Sequence, residues 1–141
     1  MAIESRAVER LWVARRVIDE RFAEPLTVEE MAQAASLSRY HFIRLFRRTF
    51  GCTPGRYLRE RRLTRARQLL ASSDLPVTDV CFAVGFESLG SFCTLFRRSE
   101  GETPIAYRAR VRDERSAATV PPYVPGCFLR AFALFEKRSA A

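Results

Sequence analysis

The chain has 141 residues, of which 48% are hydrophobic and 28% are charged, as is usual for a globular protein with one domain or two very small ones. Lysine and arginine outnumber aspartate and glutamate by 24 to 16, and the net charge of +8 favours an anionic partner, nucleic acid before a membrane. The first 20 residues mix charges of both signs, and the longest apolar stretch, near residues 127–135, is far shorter than the ~20 residues that span a bilayer. We therefore expect no signal sequence, no membrane anchor and a cytoplasmic location.

Two helices are predicted in the first 35 residues. Residues 8–22 carry apolar side chains at helical spacing, and Trp12 among them is expected in the core. Thr27 and Glu30 have the spacing of a capping box, in which each side chain binds a backbone N–H at the start of a helix. A short second helix should therefore cover residues 28–35.

The third predicted helix begins after Ser38, which can cap it, and ends near residue 50 because Gly51 follows. Its spacing divides the side chains between two faces. One face is apolar and should pack: Phe42, Leu45 and Phe46. The other is free to touch a partner: Tyr40, Ile43, Arg44 and Arg47. Together with the helix before it, this segment predicts a helix-turn-helix unit.

A long helix should follow, because Thr53 can cap it and Pro54 suits its first turn. It extends to about residue 71 and could join two halves of the protein rigidly. Beyond it, a short helix over residues 77–84 and a further helix over residues 88–99 are predicted.

An internal repeat relates these segments. Residues 38–48 are echoed by residues 88–98 at a constant offset of 50. The same offset carries four residues of the first copy, Gly51, Thr53, Pro54 and Tyr57, onto Gly101, Thr103, Pro104 and Tyr107. A tandem duplication over residues 26–108 is the simplest explanation.

Positive charge is concentrated in one part of the repeat. Residues 39–67 contain ten arginines and one acid, Glu60, whereas residues 74–112 contain five arginines and five acids. Phosphate neutralisation, the main source of non-specific DNA affinity, should therefore come mostly from the first copy and the long helix. A basic face that is merely solvated is the alternative.

The C-terminal part has a different composition. Residues 113–126 are polar and then rich in proline, so we interpret them as a linker. Residues 127–141 form a separate segment, and its first part, 127–135, is so apolar that it should dock on the domain or on a partner.

The residues of the second copy carry a family signature. It comprises the run 80–86 and a series of spaced positions: Ser88, Phe92, Phe96, Arg97, Arg98, Gly101, Thr103, Pro104, Tyr107 and Arg108. This pattern resembles the DNA-binding domain of the AraC/XylS family of bacterial transcription regulators. The resemblance implies a seven-helix, all-α domain over residues 8–112, with two helix-turn-helix units (about 8–52 and 74–112) and a linker helix (about 53–71). It also implies sequence-specific binding to double-stranded DNA, with one recognition helix from each unit in successive major grooves.

The same resemblance implies which residues meet DNA. The base-reading positions of the first unit are Arg39, Tyr40, Ile43 and Arg44, and those of the second are Leu89, Gly90 and Thr94. Since Leu89 and Gly90 offer no side-chain hydrogen bond to a base, the second unit is expected to position more than it specifies. The expected phosphate contacts are all arginines: Arg47, Arg48, Arg61, Arg62, Arg97 and Arg98.

Other functions are less well supported. The cysteines at 52, 81, 93 and 127 form no C-x-x-C pair, and His41 is the only histidine, so we expect no metal, no cofactor and no enzyme activity. The alternative function is an adaptor that acts on RNA polymerase or another regulator without reading DNA itself. Only about 25 residues precede the first motif, too few for the sugar-binding barrel of many family members. We expect a stand-alone DNA-binding domain, a monomer or weak dimer, that works with RNA polymerase.

Overall fold

The computed structural model describes residues 2–118, which form seven α-helices and no strand. The helices are α1 (Ala2–Arg21), α2 (Val28–Ala34), α3 (Arg39–Phe50), α4 (Pro54–Ser72), α5 (Val77–Ala83), α6 (Leu89–Glu100) and α7 (Pro104–Ala118). The predicted all-α, seven-helix architecture is confirmed.

The helix ends follow from local chemistry that the sequence displays. The Thr27 hydroxyl accepts a hydrogen bond from the backbone N–H of Glu30, and the Glu30 carboxylate accepts one from the backbone N–H of Thr27, as a capping box requires. Four further hydroxyls each accept a hydrogen bond from the backbone N–H three residues later: Ser38 for α3, Thr53 for α4, Ser88 for α6 and Thr103 for α7. Both α3 and α6 end at a glycine with left-handed backbone, Gly51 at φ 78° and Gly101 at φ 77°.

Two hydrophobic cores sit on either side of the middle of α4. The first joins α1, α2, α3 and the start of α4, and the second joins the rest of α4 to α5, α6 and α7. Each core contains the same ladder of three aromatic rings with centroids 5.4–5.7 Å apart: Phe42, Phe46 and Tyr57 in the first, and Phe92, Phe96 and Tyr107 in the second. The duplication in the sequence is thus a duplication of packed units.

Helix α4 belongs to both units. Leu58, near its start, is buried in the first core, whereas Leu63, Ala66 and Leu70 are buried in the second. The first part of α4 plays the role that α7 plays in the second unit, and its last part plays the role of α1. Because each part is held by a core of its own, α4 can act as a rigid connection.

The units also touch beside α4. Phe22, just after α1, packs against both cores. Gly85, in the turn between α5 and α6, has φ +95°, and a Cβ atom there would lie 2.9 Å from the carbonyl oxygens of Phe22 and Ala23. Only glycine allows this backbone conformation and this close approach. The end of α1 therefore supports the turn of the second helix-turn-helix.

Helix α7 corrects one expected boundary. It continues to Ala118, so residues 113–118 are helical rather than part of a linker. Arginines of this helix donate to carbonyl oxygens at the end of α4, for example Arg112 to Ser73 and Arg115 to Ala71, and these bonds fix a segment that has little apolar surface. The remainder of the expected linker and the apolar segment after it lie outside the described residues.

The N-terminal helix differs from the expectation in two ways. It begins at Ala2 instead of residue 8, and Trp12 is 53% exposed instead of buried. The buried stripe of α1 consists of Leu11, Ala14 and Ile18, which places Trp12 on the neighbouring, solvent-facing side. Its ring packs edge-on against Phe50 at 5.2 Å.

Candidate nucleic-acid interface

Helix α3 presents to solvent the face that its periodicity predicts. Phe42 and Phe46 are fully buried, whereas Tyr40 is 71% exposed and Arg44 is exposed beside it. The Arg44 guanidinium lies 5.6 Å from the centre of the Tyr40 ring, a cation–π contact at the surface. Ile43, between them in sequence, is partly exposed. These three side chains form one outward surface that can meet the edges of bases.

Arg39, expected beside this surface, forms an ion pair with Glu29 of α2 at 2.9 Å. Both side chains are more than half exposed, so the pair stabilises the protein little and can exchange for a phosphate or a base. Arg39 is therefore compatible with a DNA contact, although it has a protein partner.

Helix α6 has the same pattern of buried and exposed positions as α3, with different side chains on its outward face. Phe92 and Phe96 are fully buried, and Leu89, Gly90 and Thr94 are exposed. A Cβ at Gly90 would meet only the Ser88 hydroxyl, at 3.8 Å, so packing within the described residues does not require a glycine there. The outward surface of α6 is uncharged and carries only one polar group, the Thr94 hydroxyl, in contrast to that of α3.

Four of the expected phosphate contacts are free to serve that role. Arg47 and Arg48 follow the reading face of α3, and Arg97 and Arg98 follow that of α6. All four side chains are exposed, and none has an ion pair or hydrogen bond to another residue between 2 and 118. Unpaired guanidinium groups beside a recognition helix are suited to phosphate.

The structure gives the other two expected phosphate arginines a different role. Arg62 donates from Nε to the carbonyl oxygen of Phe22 at 2.7 Å and from Nη2 to that of Glu24 at 2.9 Å. Burial lowers the pKa of this guanidinium. Arg61 lies 3.5 Å from a carboxylate oxygen of Asp19 and 4.7 Å above the Phe22 ring. Both arginines hold the end of α1 against α4, and these contacts compete with the predicted phosphate contacts.

The repeat contains a signal that could have identified this role. Arg62 is related by the offset of 50 to Arg112, whose Nη2 donates to the carbonyl oxygen of Ser73 at 2.8 Å. Ser73 follows α4, as Glu24 follows α1, so both arginines bind the chain just beyond the equivalent helix. Two other arginines on α4, Arg56 and Arg59, were not predicted individually as contacts; their side chains are exposed and make no hydrogen bond or ion pair within residues 2–118.

Side chains that could support chemistry are scarce in the described part of the chain. No three His, Cys, Asp or Glu residues among 2–118 are arranged to hold a metal ion. The cysteines at 52, 81 and 93 are free, and burial raises the pKa of the Cys81 thiol, which keeps it protonated. Within the same residues, no helix is long and apolar enough to cross a membrane.

Comparison with known proteins relates this geometry to a family. Residues 31–110 match the model of a family described as a helix-turn-helix domain. The regulatory protein SoxS of Salmonella typhimurium is 34% identical over 94 residues, which cover 67% of this chain and 88% of SoxS. The transcriptional regulator YijO of Escherichia coli is 37% identical over 121 residues, which cover 86% of this chain and 42% of YijO. The chain spans less than half the length of several curated relatives that it matches.

A solved structure supports the same relationship. The crystal structure of the DNA-binding domain of AdpA, described there as a global transcriptional factor in complex with a target DNA, is 36% identical. It aligns with a TM-score of 0.72 over 75% of this chain and 96% of that one. The relatives are transcription regulators, not enzymes. The chain belongs to the AraC/XylS family of DNA-binding transcription regulators.

Proposed function

We propose that this chain regulates transcription by placing α3 and α6 in successive major grooves of promoter DNA. One observation carries the proposal: the two helices have the same buried and exposed pattern at equivalent positions, with two fully buried phenylalanines behind an outward face. Both faces belong to units that share α4, so their separation is set by a packed helix. Major grooves on one side of B-DNA recur every ~34 Å, and a rigid connection is what two simultaneous insertions require.

The two helices divide the reading unequally in this proposal. In α3, Arg44 contacts the O6 and N7 atoms of a guanine, the commonest specific contact of arginine, and Tyr40 and Ile43 offer apolar surface beside it, with Arg39 at the edge. In α6, the Leu89, Gly90 and Thr94 positions contact methyl groups and respond to the shape of the groove.

Phosphate contacts fix the position of both recognition helices, α3 and α6, along the DNA. Arg47 and Arg48 supply them beside α3, and Arg97 and Arg98 supply them beside α6. The support for this assignment is that all four guanidinium groups are exposed and unpaired within residues 2–118.

The partners follow from the same arrangement. One chain carries two recognition helices, so a monomer or weak dimer suffices to occupy two grooves. A protein bound at a promoter meets RNA polymerase there, and we propose polymerase as its protein partner. Bacterial promoters lie in the cytoplasm, which is the location we propose.

Selection of bound sites from random DNA, with the full chain at near-physiological salt, tests the proposed function. We expect a preferred motif with two parts whose centres are ~34 Å apart. A shuffled version of the motif, with the same base composition, is the matched control and should bind only non-specifically. A chain that binds every sequence equally would contradict the proposal and favour the adaptor function, in which polymerase or another regulator is the target.

A further inference from the structure

A groove runs beside each recognition helix. Its other wall is the long helix that leads into that helix-turn-helix, α1 in the first unit and α4 in the second. The first groove lies between α1 and α3 and includes Leu45, Arg48 and Thr49 of α3. The second lies between α4 and α6 and includes Leu95, Arg98 and Ser99 of α6. These triplets are related by the offset of 50, so the two grooves occupy equivalent places in the two units.

The opposite walls of the two grooves are also equivalent. The buried stripe Leu11, Ala14 and Ile18 of α1 corresponds to the buried stripe Leu63, Ala66 and Leu70 of α4, at an offset of 52. On this alignment, Glu4 corresponds to Arg56, Ala7 to Arg59 and Val8 to Glu60, and all six line their respective grooves.

The grooves differ sharply in charge. The first has one arginine, Arg48, and one acid, Glu4. The second has three arginines, Arg56, Arg59 and Arg98, and one acid, Glu60. Residues 2–118 provide no ion pair to any of these three arginines, so only the single charge of Glu60, solvent and counterions offset their mutual repulsion. An anion in the second groove would stabilise it.

The position of the second groove identifies the anion. Arg98 lies one helical turn after Thr94, so a molecule that touches the outward face of α6 also reaches the groove. An α-helix is about as wide as the major groove, ~10–12 Å, and one that fills it has a sugar-phosphate backbone on each side. Helix α4, which forms the other wall of the groove beside α6, therefore faces phosphate.

We propose that the groove between α4 and α6 holds the DNA sugar-phosphate backbone, with Arg56 and Arg59 of the linker helix acting beside Arg98. This inference rests on the proposed function. Residues 74–112 carry five arginines and five acids and so have no net charge. In this arrangement, arginines of α4 supply part of the phosphate contacts of the second unit. Part of the positive charge that is concentrated in residues 39–67 therefore lies beside the second unit.

The test compares Arg59→Gln with Arg65→Gln in the full chain, bound to the site preferred by the wild type. Arg65 lies on the same helix outside the groove, is exposed, and its side chain hydrogen-bonds only to Gln68 among the described residues. Each lost phosphate contact lowers the slope of log affinity against log salt by ~0.9. We expect this decrease for Arg59→Gln, about twice as much for Arg56→Gln combined with Arg59→Gln, and none for Arg65→Gln. Glu60→Gln, which removes the acid, should increase affinity.

Phosphate ethylation interference locates the effect. In the Arg56→Gln/Arg59→Gln variant, interference should disappear at some phosphates of the half of the site that α6 contacts, persist at the phosphates held by Arg97 and Arg98, and stay unchanged along the other half. Neither side chain makes a hydrogen bond within residues 2–118, and unchanged thermal unfolding verifies that the variant is folded. An unchanged salt slope, or loss of interference along the α3 half, would overturn the inference while leaving the proposed function intact. A wild-type chain without any preferred site would instead overturn the proposed function.

Discussion

The guanidinium groups of Arg44 and Arg47 lie on the same helix and differ in what they can reach. Arg44 rests against the Tyr40 ring in the middle of the outward face, whereas Arg47 follows it in the last turn of α3. A planar guanidinium held in the groove can donate two hydrogen bonds to one guanine, and one at the edge of the groove meets the phosphate that every sequence offers.

Arg44→Ala should therefore cost ~1–3 kcal/mol on the preferred site and flatten the preference at one base pair. Arg47→Ala and Arg48→Ala should weaken all sequences about equally and lower the salt slope. Affinities of each variant for the preferred site and for random DNA, measured at several salt concentrations, separate the two effects. Equal losses on both kinds of DNA for Arg44→Ala would show that Arg44 does not read a base.

Helix α4 shows how arginines that are close in sequence acquire different roles. Arg56 and Arg59 point into the second groove, whereas Arg61 and Arg62 bind the end of α1. A helix turns by about 100° per residue, so Arg61, two positions after Arg59, lies on nearly the opposite side of α4.

Arg62→Ala should destabilise the protein by about 1–3 kcal/mol, because it removes two charged donors from the carbonyl oxygens of Phe22 and Glu24. The salt slope of DNA binding should stay at the wild-type value, since Arg62 makes no phosphate contact in this arrangement. Chemical unfolding and the salt titration are the two measurements, and Arg65→Ala is the control of similar size on the same helix. If Arg62→Ala had wild-type stability and a reduced slope of log affinity against log salt, Arg62 would be a phosphate contact instead.

Helix boundaries can be predicted from the sequence more reliably than the side of α4 that faces each unit. Capping by Thr27, Ser38 and Thr53 depends on residues a few positions apart, and the structure confirms all three. The outward face of α3 follows from helical spacing, and Tyr40, Arg44 and Arg47 on it are exposed as predicted. The side of α4 that meets α1 depends on packing between segments about 40 residues apart, which no local pattern encodes. The same limit explains why Trp12 was expected in the core.

At the scale of the whole molecule, two nearly identical scaffolds carry unlike reading surfaces. The aromatic ladders, the serine caps of α3 and α6 and their terminal glycines agree between the units. By contrast, Tyr40, Ile43 and Arg44 have no chemical counterpart in Leu89, Gly90 and Thr94. The groove beside α6 is in turn more cationic than the groove beside α3. We therefore expect base discrimination to be concentrated in the first unit and the second unit to be held mainly by contacts with the DNA backbone.

The site selected from random DNA should show this asymmetry directly. We expect one sharp half, in which a guanine paired with Arg44 dominates, and one blurred half about a helical turn away, because methyl contacts and groove shape discriminate less than paired hydrogen bonds. Ethylation interference should nevertheless be as strong along the blurred half as along the sharp one, since phosphate contacts do not depend on sequence. Replacing Leu89 with arginine, in a second selection, should sharpen the blurred half at one position without moving the other half. Two equally sharp halves with the wild-type chain would show that α6 reads bases through contacts that its small side chains do not suggest.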